Sequence, residues 1–272
     1  MTEGAVHLEL LLFTTEVGFL QESIAAGVDG AVVDWESRGK EARQIDADTQ
    51  VNHDTVDDLR RVRGATAAKV ICRLNGNGEW TPDEIDLAIE AGADELLLPM
   101  VRRVVEVERV LDRVGGRCPV GILVETRAAT TIAPELARLP LARAYVGLND
   151  LAIERGHRNI FSALADGTVE RIRAAFASVP FGFGGLTLPE LGHPVACRLL
   201  LAEMVRLDCR FTFLRRSYLR DVSGRDQRAA VASIRAATTR SRGRPPEAIE
   251  RNRRELVAAV AEAGSALVGN SR

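Results

Sequence analysis

Long apolar runs are absent from the chain. None reaches the roughly eighteen residues that a membrane-spanning helix needs, so no segment is expected to cross a bilayer. A dominant charge sign is absent too: 36 lysines and arginines against 38 acids leave a formal net charge of -2 over 272 residues. That balance gives no electrostatic reason to expect nucleic acid as a partner. The opening stretch MTEGAVHLELLLFTTEVG has no basic leader and an apolar core of only about seven residues, so it fails as a signal peptide. Cysteines are few (Cys72, Cys118, Cys197, Cys209) and form no Cys-x-x-Cys pair. Three of them adjoin apolar strand-like runs, where a free thiol packs as a small core residue, and the reading is a cytoplasmic, reduced protein. Also missing is the Gly-x-Gly-x-x-Gly turn of a dinucleotide-binding sheet, because LLLFTTEVG holds a single glycine.

What is present is a regular alternation. Short β-rich runs at 6–13, 30–35, 68–75, 95–99, 119–125, 143–148, 181–187 and 209–215 are separated by stretches with apolar residues at i, i+3, i+4 spacing. Thr81-Pro82-Asp83-Glu84 opens one of these as a helix, with a threonine cap, proline at the first position and acids in the first turn. Eight strands alternating with helices predict a parallel α/β sheet, and eight is the number that closes a TIM (β/α)8 barrel. An open doubly wound sheet is the competing arrangement. The barrel is expected over residues 1–240. A basic, proline-containing linker and a C-terminal helix over 241–272 follow, packing on the barrel or on a neighbouring subunit.

In such a barrel the chemistry lies at the C-terminal ends of the strands. Asp34 and Glu36 follow the second run, Arg73 and Asn75 close the third, and Glu125 ends the fifth in GILVETR. Asp150 follows the sixth in YVGLNDLA, Thr187 closes the seventh, and Arg215 and Arg216 follow the eighth. Neighbouring strands would set Glu125 and Asp150 side by side. Two desolvated carboxylates repel, and a hard divalent cation such as Mg²⁺ removes that penalty. The alternative is a pair of rim acids bound to Arg127 and Arg155. Asp34 and Glu36 either support the site or pair with Arg38 or Lys40. Gly184 and Gly185 in FGFGG sit where barrels bind phosphate through backbone N–H groups, or else mark close strand packing. His157 is placed near the mouth, and His53 and His193 begin helices. Arg215, Arg216 and Arg220 either attract an anionic substrate or form a solvated rim.

Five segments, in order, carry a resemblance. GAVVDWESRGKEARQ is similar to the VDLED…K..AR stretch of the citrate lyase β-subunit family, and ICRLNG to its arginine strand VRVNG. GADELLLPMV resembles its GADGIMLPKV, and GILVETRAA and YVGLNDLAIERG resemble its LIET and GxxDLAADLG segments. Over roughly residues 28–156 the chain therefore resembles the superfamily of citrate lyase β-like proteins, malyl-CoA lyases and HpcH/HpaI aldolases. The resemblance implies a TIM barrel with Mg²⁺, or Mn²⁺ in its place, on Glu125 and Asp150. Arg73 would bind the substrate's carboxylate or enolate oxygen. From their places at the strand ends, Asp34 and Glu36 are expected to support the site, and Gly184, Gly185 and Thr187 to lie against the substrate. The implied activity makes or breaks a carbon–carbon bond through the metal-stabilised enolate of a 2-oxo acid or acyl thioester, in a homo-oligomer, trimeric or hexameric by analogy. The expected partner is a small anionic substrate, with a CoA thioester in range.

The chain departs from the pattern in four places, one being that its opening segment lacks the arginine-rich PGDRP-like start of citrate lyase β-subunits. Ser37 stands where HpcH/HpaI aldolases carry a histidine, and Leu123 where they carry a glutamine two before the metal glutamate; Met100 replaces the lysine of LPKV. The familiar general base of that branch is absent. Two rivals follow: a phosphoenolpyruvate-type phosphotransferase or mutase on the same barrel, and a non-catalytic barrel that serves as an interaction partner.

Overall fold

The structure is a computed structural model and describes residues 7–38 and 54–269. Each expected strand is present: β1 Glu9–Phe13, β2 Gly30–Asp34, β3 Lys69–Arg73, β4 Glu95–Leu98, β5 Val120–Val124, β6 Arg143–Val146, β7 Phe181–Phe183 and β8 Phe211–Leu214. They form one parallel sheet in the order β7-β6-β5-β4-β3-β2-β1-β8. The seam between β7 and β8 is drawn together by the Arg210 amide donating to the Phe181 carbonyl at 2.9 Å and by a parallel bridge between Leu186 and Leu214. Gly182 makes this approach possible, since a Cβ there would lie 2.3 Å from the Phe211 carbonyl oxygen. The sheet is thus the nearly closed TIM barrel that the alternation predicts.

Side chains alternate in and out along every strand. Leu11, Val32, Ile71, Leu97, Leu123 and Tyr145, with Phe211 and Phe213, fill the barrel as one apolar layer. The residues between them, such as Leu10, Leu12, Val33, Cys72, Leu98 and Val124, face the surrounding helices. At the strand starts, Arg143 is forked onto Glu95 and reaches Glu9 Oε2 at 3.1 Å, while Lys69 meets the other Glu9 oxygen at 3.2 Å. This charged plug closes the bottom of the barrel. At the opposite end the inward positions are Phe13, Asp34 and Arg73, continued past the end of β5 by Glu125. The same alternation therefore delivers the polar residues to the mouth.

The helices after β1 to β4 are α1 Val17–Ala26, α2 Val56–Ala65, α3 Thr81–Glu90 and α4 Val104–Val114. After β5 come α5 Arg127–Thr131 and α6 Ala133–Leu136, and after β6 α7 Leu148–Glu154, α8 Ser162–Ala165 and α9 Thr168–Ala175. The chain continues through α10 Cys197–Arg206 after β7, and α11 Ser217–Asp221, α12 Gln227–Arg242 and α13 Pro246–Gly269 after β8. The expected boundary at residue 240 falls inside α12, and only residues 243–245 separate α12 from α13. The basic residues read as linker therefore lie largely on helices. α13 packs on α8 and α10 through buried Leu256 and Val260, and Asn159 donates to the Val260 carbonyl at 2.8 Å. All four cysteines are buried and free. No helix among the described residues is long and apolar enough to cross a membrane.

Candidate active site

A cavity of about 830 Å³ opens at the C-terminal ends of the strands. Its floor is the apolar layer, represented by Leu123, Tyr145 and Phe213, and its walls carry Asp34, Arg73, Glu125 and Asp150. The expected pair is thus brought together. Glu125 is nearly fully buried at the exit of β5, and Asp150 lies in the first turn of α7, where the helix dipole favours a negative charge. The Thr126 hydroxyl fixes the turn that follows Glu125. It donates to the Val101 carbonyl at 2.6 Å and accepts from the Ala129 amide at 3.0 Å as the cap of α5.

Glu125 accepts one backbone hydrogen bond, from the Met100 amide to Oε1 at 2.8 Å. Met100 reaches it with a left-handed φ of 55°, uncommon for a residue with a side chain, so the turn after β4 holds local strain where it meets the acid. Gly147 leaves room for the other oxygen, because a Cβ there would lie 2.2 Å from Glu125 Oε2. Burial pushes the Glu125 carboxyl well above the ordinary range, and the charges of Asp150 and Glu36 push in the same direction. Arg73 and the Met100 amide oppose this.

Arg73 is held on two sides. Its Nε and Nη2 donate to the two Asp34 oxygens at 2.8 and 2.6 Å, and its Nη1 lies 3.2 Å from Glu36 Oε2. Burial works against the guanidinium charge, but Asp34 and Glu36 outweigh it and keep the group protonated. One N–H on each of Nη1 and Nη2 is left for a ligand. Asp34 and Glu36 are therefore the acids that orient Arg73. Asp34 reaches the cavity wall, while Glu36 does not line the cavity. Arg38, proposed as their partner from the sequence, stacks over Trp80 at 4.6 Å, and Lys40 lies outside the described residues. Asn75 faces away from the ligand space. Its Oδ1 accepts the Ser37 and Arg38 amides at 3.0 and 2.9 Å, pinning the β2 exit loop.

The remaining sequence candidates divide. Gly184 and Gly185 line the cavity, as do Arg215, Arg216 and Arg220. Thr187 does not: it lies beyond the end of β7, is fully buried, and its hydroxyl donates to Asp221 at 2.7 Å, so it serves packing and not a ligand. His157 is exposed in the turn after α7 and outside the cavity lining. His53 lies outside the described residues. Two wall residues escaped the sequence reading. Tyr145, two residues before the strand-end glycine of YVGLND, projects inward from β6, where its phenol stacks 4.1 Å from the Phe213 ring. Asp54 accepts the Asp34 amide at 2.8 Å, and burial raises its carboxyl despite that bond. Tyr145 was discoverable from the period of two along β6, but Asp54 stands before a helix and carried no such signal.

The donor chemistry suits the group that the fold family implies. Among the described residues, no cluster of three or more His, Cys, Asp or Glu is arranged to hold a metal. Two carboxylates, with water and substrate oxygens completing an octahedron, is the set Mg²⁺ takes.

No family model matches the chain. In sequence it is similar to the (3S)-malyl-CoA thioesterases of Cereibacter sphaeroides. One is 33% identical over 123 residues, covering 42% of this chain and 43% of the relative. Another is 31% identical over 143 residues, covering 51% and 47%. The match thus spans less than half the length of these curated relatives. In fold the chain is similar to an HpcH/HpaI aldolase from Desulfitobacterium hafniense, with a TM-score of 0.59 and 12% identity over 84% of this chain and 93% of that one. It is similar also to the citrate lyase beta subunit of M. tuberculosis, solved with oxaloacetate and magnesium, at a TM-score of 0.56 and 15% identity over 85% and 97%. Protein CitE from Mycobacterium tuberculosis, solved with magnesium and pyruvate, matches at 0.59 and 15% over 93% and 98%. The chain thus shares the fold of an HpcH/HpaI aldolase and of citrate lyase beta subunits, and about half of its sequence is similar to malyl-CoA thioesterases.

Proposed function

We propose that the protein is a Mg²⁺-dependent lyase that makes or breaks a carbon–carbon bond by way of an enolate, on a small anionic substrate. The observation that carries this is the joint placement of Glu125 and Asp150 beside an arginine that two buried acids hold in one orientation. Glu125 and Asp150 would hold the ion. When bound, Mg²⁺ supplies positive charge where negative charge develops in the reaction.

The chain's own groups do the rest. Arg73 presents its unused N–H bonds to the substrate's carboxylate or enolate oxygen and is preorganised to do so, since its ion pairs are formed before any ligand arrives. Leu123, Tyr145 and Phe213 keep water from the inner side of the cavity. Asp54 lines the same wall and keeps one carboxyl oxygen clear of the Asp34 amide, which suits it to move a proton to or from carbon. It takes the role that the histidine absent at Ser37 would have filled. Arg215 and Arg216, which follow β8 and also line the cavity, would draw the anionic substrate in.

A second reading rests on the thioesterase relatives: the same mouth would direct water at a thioester carbonyl. Malyl-CoA separates the two by its products. Retro-aldol cleavage gives acetyl-CoA and glyoxylate, and hydrolysis gives malate and free coenzyme A. We expect chromatography after incubation with Mg²⁺ to show the carbon–carbon cleavage products from malyl-CoA or a related β-hydroxy thioester. Malate and free coenzyme A as the only products would replace the lyase reading with the hydrolase.

A further inference from the structure

A second cavity, of about 450 Å³, lies outside the barrel wall between α5, α6 and α9. Arg127, Arg155 and Arg171 line it together with Thr168, and no carboxylate side chain is part of the lining. That contrasts with the mouth, whose wall mixes arginines with several acids. The cavity opens toward the same end of the barrel, since Arg127 follows Glu125 by two residues and Arg155 follows Asp150 by five.

The cations here are incompletely matched. Among the described residues neither Arg127 nor Arg171 forms an ion pair. Arg171 donates to the Asp166 carbonyl at 3.3 Å and to Thr168 Oγ1 at 3.0 Å. Because Thr168 accepts there, its own hydroxyl proton is left for another acceptor. Arg155 pairs with Asp166 through Nη2, yet its Nη1 is buried with no hydrogen-bond partner. A buried guanidinium nitrogen without an acceptor carries a desolvation cost that a bound anion would relieve. The nearby acids do not cancel the field: Asp166 is taken by Arg155, and Glu154 by Arg102 and the Arg127 amide.

We propose that this groove binds a phosphoryl group. Three guanidinium forks and a hydroxyl around one cavity match the charge and the several oxygens of a phosphate better than those of a single carboxylate. The volume exceeds that of the ion alone, and Pro134 and Ile172 offer an apolar surface to the body of an ester. The phosphate has two possible sources: a phosphorylated arm of the substrate whose other end lies in the mouth, or a separate phosphorylated ligand.

The test is calorimetric titration of the full chain with inorganic phosphate and with adenosine 3′,5′-bisphosphate, both without Mg²⁺. Saturable binding is expected in the native protein and in Glu125→Gln. It should weaken on the order of tenfold per arginine in Arg127→Gln and Arg171→Gln, whose exposed side chains leave folding intact. Displacement of the bisphosphate by coenzyme A would assign the phosphate to an arm of the mouth's substrate. Simultaneous binding of both would assign it to a separate ligand, and either result supports the site. No saturable binding, or equal affinity in the Arg127→Gln/Arg171→Gln double variant, would overturn it. Since no Mg²⁺ and no turnover are involved, failure here is distinguishable from failure of the lyase reading.

Discussion

Glu125 shows most clearly how one residue can oppose the fold and serve a site. Its carboxyl is raised by burial and by Asp150, so in the pH interval between an unfolded glutamate near 4.3 and its folded value the native state binds more protons than the unfolded one. Metal-free stability therefore falls as pH rises through that interval. Glu125→Gln removes the effect, and we expect thermal unfolding of the metal-free variant at neutral pH to shift upward by a few degrees, at about 2–4 °C per kcal/mol for a chain of this size. Mg²⁺ should raise the melting temperature of the native protein and leave the variant unmoved, because the ion stabilises only the state that binds it. A drop in stability for Glu125→Gln would contradict the repulsion. Asp54 gives the second prediction at this scale. Asp54→Asn should lower turnover by about 10²–10⁴ while leaving the Mg²⁺ shift intact, the signature of a lost proton carrier and not of a lost ligand. The acids at strand ends were legible in the sequence because barrel chemistry gathers there. What they touch was not, since the fork of Asp34 onto Arg73 joins residues 39 apart in the chain.

At the scale of elements, the strands were legible and their ends less so. The run 181–187 was read as one strand, but β7 stops at Phe183: Gly184 turns to the mouth, and Gly185, at a φ of 115°, adopts a conformation that breaks the extended chain. The same alternation that carries Arg73 and Asp34 to the mouth carries Glu9, Lys69, Glu95 and Arg143 to the bottom, a cluster that strand-end reasoning passed over. Arg143 is nearly buried between two carboxylates. Arg143→Met should destabilise the barrel by about 3–5 kcal/mol in denaturant unfolding, because it leaves Glu95 buried without its cation. A change under 1 kcal/mol would mean that water replaces the arginine freely. The C-terminal helix is tied in comparably. Leu256 is fully buried, and Leu256→Ala should cost about 2–5 kcal/mol if α13 folds with the barrel as one cooperative unit.

For the whole molecule, eight short parallel strands with helices between them were enough to predict a barrel, because the pattern of apolar runs is set by burial on both faces of each strand. The residues of the mouth were largely legible in the sequence, but the shapes of the two cavities and the lining of the outer groove were not. Their walls are assembled from three or more loops and helices, so charge that averages to nearly nothing over the chain is sorted into a mixed mouth and an arginine-lined groove only on folding. The central claim is that the mixed mouth generates an enolate with Mg²⁺ on Glu125 and Asp150. Proton NMR in D₂O tests it most directly, following pyruvate, oxaloacetate and acetyl-CoA separately with the native protein and with Glu125→Gln. The account predicts Mg²⁺-dependent loss of the methyl or methylene signal of at least one of them, absent in the variant. Exchange that persists in Glu125→Gln, or no exchange from any of the three while Mg²⁺ is bound, would contradict it.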